Sequence, residues 1–321
     1  MTQAFGGTEL LDEMMPPRNL WLDAWDRFQR NKMAVVGLAI AILTLFLGIF
    51  GPALAPYDYT LIDMRALAQP PSLEHPMGTD EIGRDMLSRI LQGARTAVLV
   101  AIFVTVINTV MGLVLGTLSA YMGGVVDMVI MRIADILIAF PGLLLAVFVN
   151  ATMKRPVGLV SEWLYELTGF EFFQNTLVIN YLIVLGAISL IGWPGLARLV
   201  RGQILSLRER EFIKAQVAMG SPRWRIMALH LVPNAIGPLI VAVSASIGGA
   251  MVAESSLSYL GLGIQPPGAS WGRMIVENML QWSVYPHLVA MPSLVLAICV
   301  FGFNFLGDGL NDALNPRQIQ S

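Results

Sequence analysis

Long apolar stretches alternate with shorter polar segments along this chain. Six of the apolar stretches are long enough to cross the hydrocarbon core of a bilayer, for which an α-helix needs about 20 residues. They cover residues 33–55, 96–121, 125–149, 176–199, 231–253 and 288–305. This pattern predicts an all-α membrane protein with six transmembrane helices.

The first apolar stretch could also be interpreted as a cleavable signal, because Ala53-Leu54-Ala55 mimics a cleavage site. Its apolar run is longer than the roughly 7–15 residues of a signal peptide, however, and a long charged segment precedes it. We therefore interpret this stretch as a retained transmembrane helix.

Basic residues near the helix ends predict the orientation, because cytoplasmic loops carry an excess of Lys and Arg. Arg27, Arg30 and Lys32 lie just before the first stretch, and residues 198–229 are also rich in arginine. The predicted outer loops have fewer basic and many acidic residues, and they cover residues 56–95, 151–175 and 254–287. Both termini are therefore predicted to lie in the cytoplasm.

The composition agrees with a membrane protein and argues against other classes. Hydrophobic residues make up 55% of the chain and charged residues only 13%, compared with about 25% charged residues in soluble domains. The net charge of −2 argues against a nucleic-acid partner. Cys299 is the only cysteine and the three histidines are far apart in the sequence, so no internal disulfide and no metal site are predicted.

Ionisable residues at membrane depth are costly and often functional. Arg132 and Asp135 are three residues apart, so they share a helix face and can pair with each other. A structural ion pair and a role in lining a translocation path are both open interpretations. Glu254, beside Ser255, lies at the predicted outer end of the fifth helix. It is either part of an outer gate or a solvated carboxylate at a helix end.

Small residues and prolines indicate how the helices pack. Gly112, Gly116 and Ala120 form a small-xxx-small ridge that lets another helix approach closely. Internal packing and a subunit interface both explain such a ridge. Pro141 falls inside the predicted third helix, where it removes a backbone donor and favours a kink.

A polar segment lies between the predicted fourth and fifth helices. No proline or glycine interrupts residues 207–219, and apolar residues recur there near helical spacing. Gly220 then provides a helix stop, Ser221 is a candidate cap, and Pro222 is suited to the first helical position. We predict two short helices that meet at a glycine elbow. An amphipathic helix lying on lipid is the alternative.

No catalytic site is predicted. Residues 268–272 match the G-x-S-x-G pattern of serine hydrolases, but that motif follows a strand and precedes a helix. Here two prolines precede it, and the nearest candidate base, His287, has no evident orienting acid. The chain also has no Walker phosphate loop. If ATP drives its function, another polypeptide must bind the ATP.

The polar segment resembles the cytoplasmic coupling loop of ABC-importer permeases. That pattern has Glu-Ala-Ala, three residues, a glycine, and about nine residues before an apolar-x-Leu-Pro ending. Here Lys214-Ala215-Gln216 occupies the first position, Gly220 is the glycine, and Val232-Pro233 forms the ending. Lys214 departs from the usual Glu, and Gln216 departs from the second Ala.

Three further blocks resemble the dipeptide/oligopeptide/nickel subfamily of these permeases, and most closely its "C"-type subunit. They cover residues 75–89, 131–141 and 253–272. The resemblance extends from about residue 20 to residue 317 and implies the type I ABC importer permease fold. The stretch of residues 154–175 is longer than expected for this type.

The resemblance implies a non-catalytic subunit in the bacterial inner membrane. Its implied partners are a homologous second permease, two ATPase subunits, an extracytoplasmic substrate-binding protein and membrane lipid. ATP and Mg would be bound by the ATPase subunits, and no cofactor by this chain. The implied mechanism is alternating access, in which ATP binding moves the coupling loop and tilts the helices.

The resemblance also implies a domain order and a set of contact residues. The order is a cytoplasmic segment (1–32), a first helix with its periplasmic loop (33–94), a five-helix core (95–312) with the coupling loop at 200–229, and a cytoplasmic tail (313–321). The residues implied at the ATPase contact are Arg208, Glu211, Phe212, Ile213, Lys214, Ala215, Gln216, Val217, Met219, Gly220, Arg223 and Trp224.

The expected cargo is a di- or oligopeptide delivered by the binding protein. The same machinery carrying an oligosaccharide, glutathione or a nickel chelate is the alternative. A secondary transporter is a remote alternative, because it would show inverted repeats, and no convincing repeat is evident in the sequence.

Overall fold

The structure is a computed structural model that describes residues 20–314. Within this range the regular elements are helices, and the sequence forms no extended strand. The α-helices are α1 (Leu20–Arg30), α2 (Lys32–Leu54), α3 (Met86–Met122), α4 (Gly124–Ala139), α5 (Gly142–Thr168), α6 (Thr176–Arg208), α7 (Glu211–Ala218), α8 (Arg223–Ile226), α9 (Val232–Tyr259), α10 (Trp271–Asn278) and α11 (His287–Leu314).

The predicted number of membrane spans is confirmed. Six helices are long and apolar enough to cross a bilayer: α2, α3, α5, α6, α11, and α8 joined to α9. The last of these runs from Arg223 to Tyr259, because a π-helical turn at Met227–Leu231 connects α8 and α9 without a break. Apolar side chains such as Ile42, Leu144 and Phe148 are exposed on these helices, as expected for surfaces that face lipid.

The prediction that the third membrane span is one continuous helix is wrong. Residues 125–149 were expected to form one span, but the chain breaks at Phe140 and Pro141, between α4 and α5. Phe140 has an extended backbone (φ −83°, ψ 141°), which is the conformation that a following proline favours. Most of the predicted outer loop 151–175 is also helical, because α5 continues to Thr168.

The helix α3 lies at the centre of the bundle and packs most extensively against α6. Gly112 and Gly116 face α6 directly: a Cβ atom at Gly112 would lie 2.6 Å from the Cβ of Leu196, and one at Gly116 would lie 2.5 Å from the carbonyl oxygen of Ala197. The small-residue ridge therefore serves internal packing, which is one of the two predicted interpretations.

The two ends of the described chain lie together. Phe28 and Ala24 of α1 are buried in one cluster with Ala313 of α11. Arg27 donates from Nη1 to the carbonyl oxygen of Ala313 at 3.5 Å, and Asn31 donates to Asp312 at 3.2 Å. The first and last helices therefore share one side of the bundle. The assignment of that side to the cytoplasm stays a prediction from the basic residues.

Candidate functional site

The polar segment after α6 folds as the predicted pair of short helices. Its first helix is shorter than expected, because Glu209 and Arg210 separate α6 from α7. The chain reverses at Gly220, whose φ of +75° is a conformation that residues with a Cβ rarely adopt. Pro222 is the N-cap of α8, one position before the predicted one.

Ser221 and Gln216 close the turn between the two helices. The backbone N–H of Ser221 donates to the carbonyl oxygen of Gln216 at 3.1 Å. The Ser221 hydroxyl also donates to Oε1 of the Gln216 side chain at 2.8 Å. Ser221 therefore stabilises the elbow through Gln216, and no side-chain cap of α8 by Ser221 is observed among the hydrogen bonds of residues 20–314.

Two isoleucines anchor the helix pair to the bundle. Ile213 of α7 and Ile226 of α8 are each 1% exposed. Both belong to one buried cluster with Ile204 of α6 and Leu231 at the start of α9. Ile213 therefore lies in the core, which corrects its expected place on the contact surface. A displacement of α7 and α8 would be transmitted directly to α6 and α9.

The other face of the helix pair is open to the surroundings. Large apolar side chains lie on it, with Trp224 65% exposed and Met219 69% exposed. We define this coupling surface by the predicted contact residues that the structure exposes: Arg208, Glu211, Phe212, Lys214, Ala215, Val217, Met219, Gly220, Arg223 and Trp224. Gln216 is half-buried. Ile213 is thus the one predicted contact residue that is buried, and the role of the others as a contact for an ATPase stays a prediction.

Charges on the coupling surface make few internal bonds. Lys214 Nζ lies 3.3 Å from Glu209 Oε2, and both side chains are mostly exposed, so this pair contributes little to stability. Arg208 donates from Nη1 to the carbonyl oxygen of Ala120 at 3.4 Å. Its guanidinium thereby ties the end of α6 to the end of α3.

The predicted pair of Arg132 and Asp135 is wrong. Asp135 instead pairs with Arg198 of α6. Nearer the start of α4, both carboxylate oxygens of Asp127 accept bonds from Arg201, at 2.7 and 2.6 Å. The helix α4 is therefore fastened to α6 by two acid–arginine pairs. Both arginines were assigned to the basic segment 198–229 in the sequence, because they lie at or just beyond the end of the fourth apolar stretch.

Glu254 is fully buried, which corrects its interpretation as a solvated carboxylate at a helix end. The helix α9 continues past it to Tyr259, so both carboxylate oxygens lie inside the fold. Ser258 donates to Oε1 at 2.7 Å, and Ser255 donates to Oε2 at 3.4 Å. The Ser258 hydroxyl also accepts from the backbone N–H of Ile264 at 3.2 Å. Ser258 therefore links the Glu254 carboxylate to the chain that leaves α9. The expected role of Glu254 and Ser255 in a gate stays a prediction.

A second contact fastens the chain that follows. Trp271, at the start of α10, is 1% exposed. Its indole Nε1 donates to the carbonyl oxygen of Ile90 at 3.0 Å, and its ring lies against Gly93, where a Cβ atom would come within 2.7 Å. The helix α10 is thus fixed to the first turns of α3.

A buried charge network connects α10 with the segment before α3. Arg89 is 3% exposed and donates to Asp80 at 2.5 Å and to Glu277 at 2.8 Å. Arg84 bonds to the same two acids, and Arg273 donates to Glu277 at 2.9 Å. We call these five residues the outer network. The sequence placed residues 75–89 in a family-like block but gave no sign of their bond to α10.

The arginines of the outer network determine whether the carboxyl group of Glu277 is ionised. Burial alone would raise the pKa of the Glu277 carboxyl. The guanidinium groups of Arg89, Arg273 and Arg84 more than offset this effect and hold the pKa below its usual value. Glu277 is therefore ionised at neutral pH and bridges three arginines.

The side chain of His75 supports the same segment. His75 Nδ1 lies 2.9 Å from Asp85 Oδ1, and both residues are buried. The other oxygen of Asp85 accepts from the backbone N–H of Ser88 at 2.7 Å, which caps α3. This cap explains why α3 begins at Met86, ten residues before the predicted start of the second span.

A cavity of about 440 Å³ lies between α3, α5, α6 and α9. Its wall contains the small residues Gly142, Gly192 and Gly249, together with Asn108 and Ser246. No pattern in the sequence predicted this cavity. The proline break before Gly142 and the small residues of α9 were visible in the sequence. They lie on different helices, and nothing in the sequence indicates that these helices meet.

Two family models match the chain. One is described as the binding-protein-dependent transport system inner membrane component and matches residues 109–320. The other is described as the N-terminal TM domain of oligopeptide transport permease C and matches residues 19–71.

Characterised proteins are similar to this chain over nearly its whole length. The oligopeptide transport system permease protein OppC of Bacillus subtilis is 37% identical over 93% of this chain and 90% of its own length. The corresponding protein of Haemophilus influenzae is 38% identical over 96% and 92%. The glutathione transport system permease protein GsiD of Pectobacterium atrosepticum is 36% identical over 94% and 92%.

The fold is similar to that of a solved transporter. A chain of the MetNI methionine ABC transporter, in an inward facing conformation, matches with a TM-score of 0.53 at 17% identity. The match covers 72% of this chain and 98% of that chain. At this identity the likeness supports the permease fold alone, and only for the part of this chain that the match covers.

Proposed function

Because this chain belongs to the family of binding-protein-dependent transport system inner membrane components, we propose that it moves peptides through the inner membrane as one half of an ATP-driven importer. Permeases of this family are multi-pass inner membrane subunits that assemble with other ABC transporter subunits. The described helices meet that requirement, because six of them can span the bilayer. The coupling surface is the observation that carries the proposal.

The coupling surface has the properties of a protein-binding site. Trp224, Phe212 and Met219 are large, exposed and apolar. Arg208 and Arg223 are exposed residues of the same surface. Aromatic residues, Met and Arg are the residue types enriched at the centres of protein interfaces. We assign this surface to the ATPase subunit, which would bind ATP and Mg. This chain supplies the contact and no catalytic group.

The same segment explains how force would enter the bundle. The buried side of the helix pair is fixed by Ile213 and Ile226 to α6 and α9. Closure of two ATPase subunits around ATP would move α7 and α8, and α6 and α9 would follow. Since α6 and α9 both line the cavity, this movement would open and close it. A homologous permease would complete the path, and an extracytoplasmic binding protein would deliver the cargo.

Peptides are the favoured cargo because the similar proteins of Bacillus subtilis and Haemophilus influenzae are named as oligopeptide permeases. Glutathione is the second candidate, since a glutathione permease is 36% identical to this chain. Glutathione is chemically a short peptide, so a single path could pass both. Selection between them would be made largely by the binding protein.

The experiment is co-purification of the complex from its native membrane, followed by uptake in vesicles with the binding protein. ATPase subunits should co-purify, and peptide uptake should require ATP. Trp224→Ala should weaken ATPase binding by about thirty-fold, since truncating a central Trp costs about 2 kcal/mol at many interfaces.

The matched control is Trp163→Ala. Trp163 is 59% exposed, close to the 65% of Trp224, but lies on α5 far from the coupling surface in the sequence. ATPase binding should be unchanged in this variant. Equal loss of ATPase in both variants would contradict the assigned surface, and a chain that transports without any ATPase would overturn the proposed function.

A further inference from the structure

The break before α5 places the start of a helix at the cavity. Gly142 and Leu143 form the first turn of α5 and line the cavity wall. The first intrahelical bond of α5 is donated by Leu145 to the carbonyl oxygen of Pro141. The N–H groups before it have no partner inside the helix, and no side chain caps this end. The start of α5 therefore offers free donors and the positive end of a helix dipole.

A second, independent feature points into the same cavity. Asn108 of α3 lines the wall and is only 6% exposed. Its Oδ1 atom is buried and has no hydrogen-bond partner among residues 20–314. Its amide lies against Gly192 of α6, where a Cβ atom would collide with Nδ2. Leaving such a group unpaired costs about 1–3 kcal/mol. Among the buried unpaired side-chain atoms of residues 20–314, Asn108 Oδ1 is the one that lies in the cavity wall.

The remaining polar groups of the wall are already engaged. Ser246 donates to the carbonyl oxygen of Val243 at 2.7 Å, and Ser256 donates to that of Val252 at 2.7 Å. Within the part of the chain that the structure describes, no Asp, Glu, Lys or Arg lines the cavity. The groups free to bind a ligand are thus one side-chain amide and the first N–H groups of α5.

These free groups match the chemistry of a peptide backbone. A side-chain amide both donates and accepts, as a peptide group does, and a helix start favours carbonyl or carboxylate oxygens. We propose that the cavity is a binding site for the backbone of the passing peptide, in which Asn108 pairs with a peptide group and the start of α5 receives a carbonyl or C-terminal carboxylate oxygen. This role rests on the peptide transport proposed above.

The size and neutrality of the site set its selectivity. A volume of about 440 Å³ lies within the range of roughly 300–1,000 Å³ that holds small ligands, so the cavity takes a short stretch of a peptide. Its uncharged wall offers no partner for a charged side chain. The site therefore recognises what all peptides share and passes different side chains alike.

The first test removes the amide in Asn108→Leu, which keeps the number and branching of the side-chain heavy atoms. Uptake of short peptides by the complete complex should fall about ten-fold, to a similar extent for acidic, basic and neutral sequences, since one lost hydrogen-bonding group costs about 1–3 kcal/mol. ATP hydrolysis stimulated by the loaded binding protein should be retained. Asn108→Gln should restore part of the uptake.

Asn150→Leu is the matched control. Asn150 lies on α5, is 1% exposed and also has an unpaired Oδ1 atom, but it is not part of the cavity wall. Uptake should stay near the unsubstituted level in this variant. Equal losses in both variants would overturn the proposal, because they would indicate a general effect of removing a buried amide.

The second test detects the peptide in the cavity directly and does not depend on the activity of an amide variant. Cys299 is the only cysteine, so Cys299→Ser gives a background without thiols. Ala146→Cys would place a thiol in the cavity wall, whereas Phe148→Cys would place it on the exposed side of the same helix. A bromoacetyl peptide alkylates a thiol, as sulfur displaces bromide.

The probe should label Ala146→Cys during ATP-driven turnover, and an excess of unmodified peptide should suppress the labelling. Labelling of Phe148→Cys should be weak. Labelling of position 146 by a bromoacetyl lipid but not by the peptide would overturn the proposal and assign the cavity to an acyl chain.

The outcomes separate this site from the function on which it rests. If the intact complex imports peptides while Asn108→Leu has no effect and position 146 is not labelled, the binding site is wrong and the transport function stands. If the intact complex imports no peptide, the proposed function itself is wrong.

Discussion

The coupling surface and the outer network both contain arginines, but these arginines differ in burial and in ion pairing. In the outer network, Arg89 is 3% exposed and bonded to two buried or half-buried acids. On the coupling surface, Arg223 is exposed, and no ion pair within residues 20–314 includes it. Arg89 therefore stabilises the fold, whereas Arg223 remains available for a contact outside the chain.

This difference teaches how to separate structural from functional charges in a membrane protein. A buried charge that lost its partner would be very costly, so the outer network must be complete within the chain. The coupling surface faces no such demand, because its side chains are exposed. Internal pairing of a buried charge therefore identifies the scaffold, whereas an exposed arginine without an ion pair in the described part of the chain, such as Arg223, is free to serve the contact proposed above.

The largest difference between the two sites is expected when one arginine is removed from each of them. Arg89→Met should lower the stability of the chain by about 3 kcal/mol, since two charge-assisted hydrogen bonds of about 1.5–3 kcal/mol each are lost. Arg84 and Arg273 still pair with the two acids. Arg223→Met should change stability by less than about 0.5 kcal/mol, as expected for an exposed site. Thermal unfolding in detergent measures both, and similar shifts would contradict the distinction.

A smaller effect is expected from the elbow of the coupling surface. Gly220→Val should strain the turn by about 1–2 kcal/mol, because φ is +75° there. The space around Gly220 is open, so the variant should still fold and insert. Peptide imported per ATP hydrolysed should fall several-fold in reconstituted complexes.

Gly158→Val controls for the elbow variant. Gly158 also has open space around it, but it lies in the regular helix α5. Its substitution should leave the ratio of import to hydrolysis unchanged. An unchanged ratio of import to ATP hydrolysis in Gly220→Val would show that coupling does not depend on the backbone conformation of the elbow.

The smallest effect is expected at Lys214, where the resembled pattern has Glu. Lys214 and Glu209 form an exposed pair at 3.3 Å, and such pairs contribute about 0–1 kcal/mol. Lys214→Ala should therefore change ATPase binding by less than about five-fold, and the change should shrink as salt is raised. Loss of binding at all salt concentrations would show that this charge, and not the apolar contact, holds the partner.

The sequence predicted the features that depend on composition over a long window. Each membrane span needs about 20 apolar residues, so the number of spans could be read without knowing any contact. The glycine elbow could also be predicted, because Gly220 and Pro222 have strong local conformational preferences. The exposed side of the coupling segment followed from its mixture of basic and apolar residues.

The sequence could not reveal features that depend on distant partners. Glu254 was placed at a helix end because nothing in the local pattern showed that α9 continues past residue 253 and buries the carboxylate with Ser258. The pair of Asp135 with Arg198 spans 63 positions, so the nearer Arg132 was the natural choice. The cavity requires four helices to meet, and only the fold specifies that meeting.

The unbroken path from α8 to α9 has a geometric consequence. Arg223–Tyr259 contains 37 residues, which corresponds to about 55 Å at the rise of an α-helix. If such a rod pivots at its inner end, a tilt of about ten degrees displaces its far end by about 10 Å at this length. Glu254 lies near that far end and accepts a hydrogen bond from Ser258, which in turn bonds to the chain that leads to α10. In the proposed importer, a small angular change at the coupling surface would therefore become a large displacement at the opposite end of the bundle.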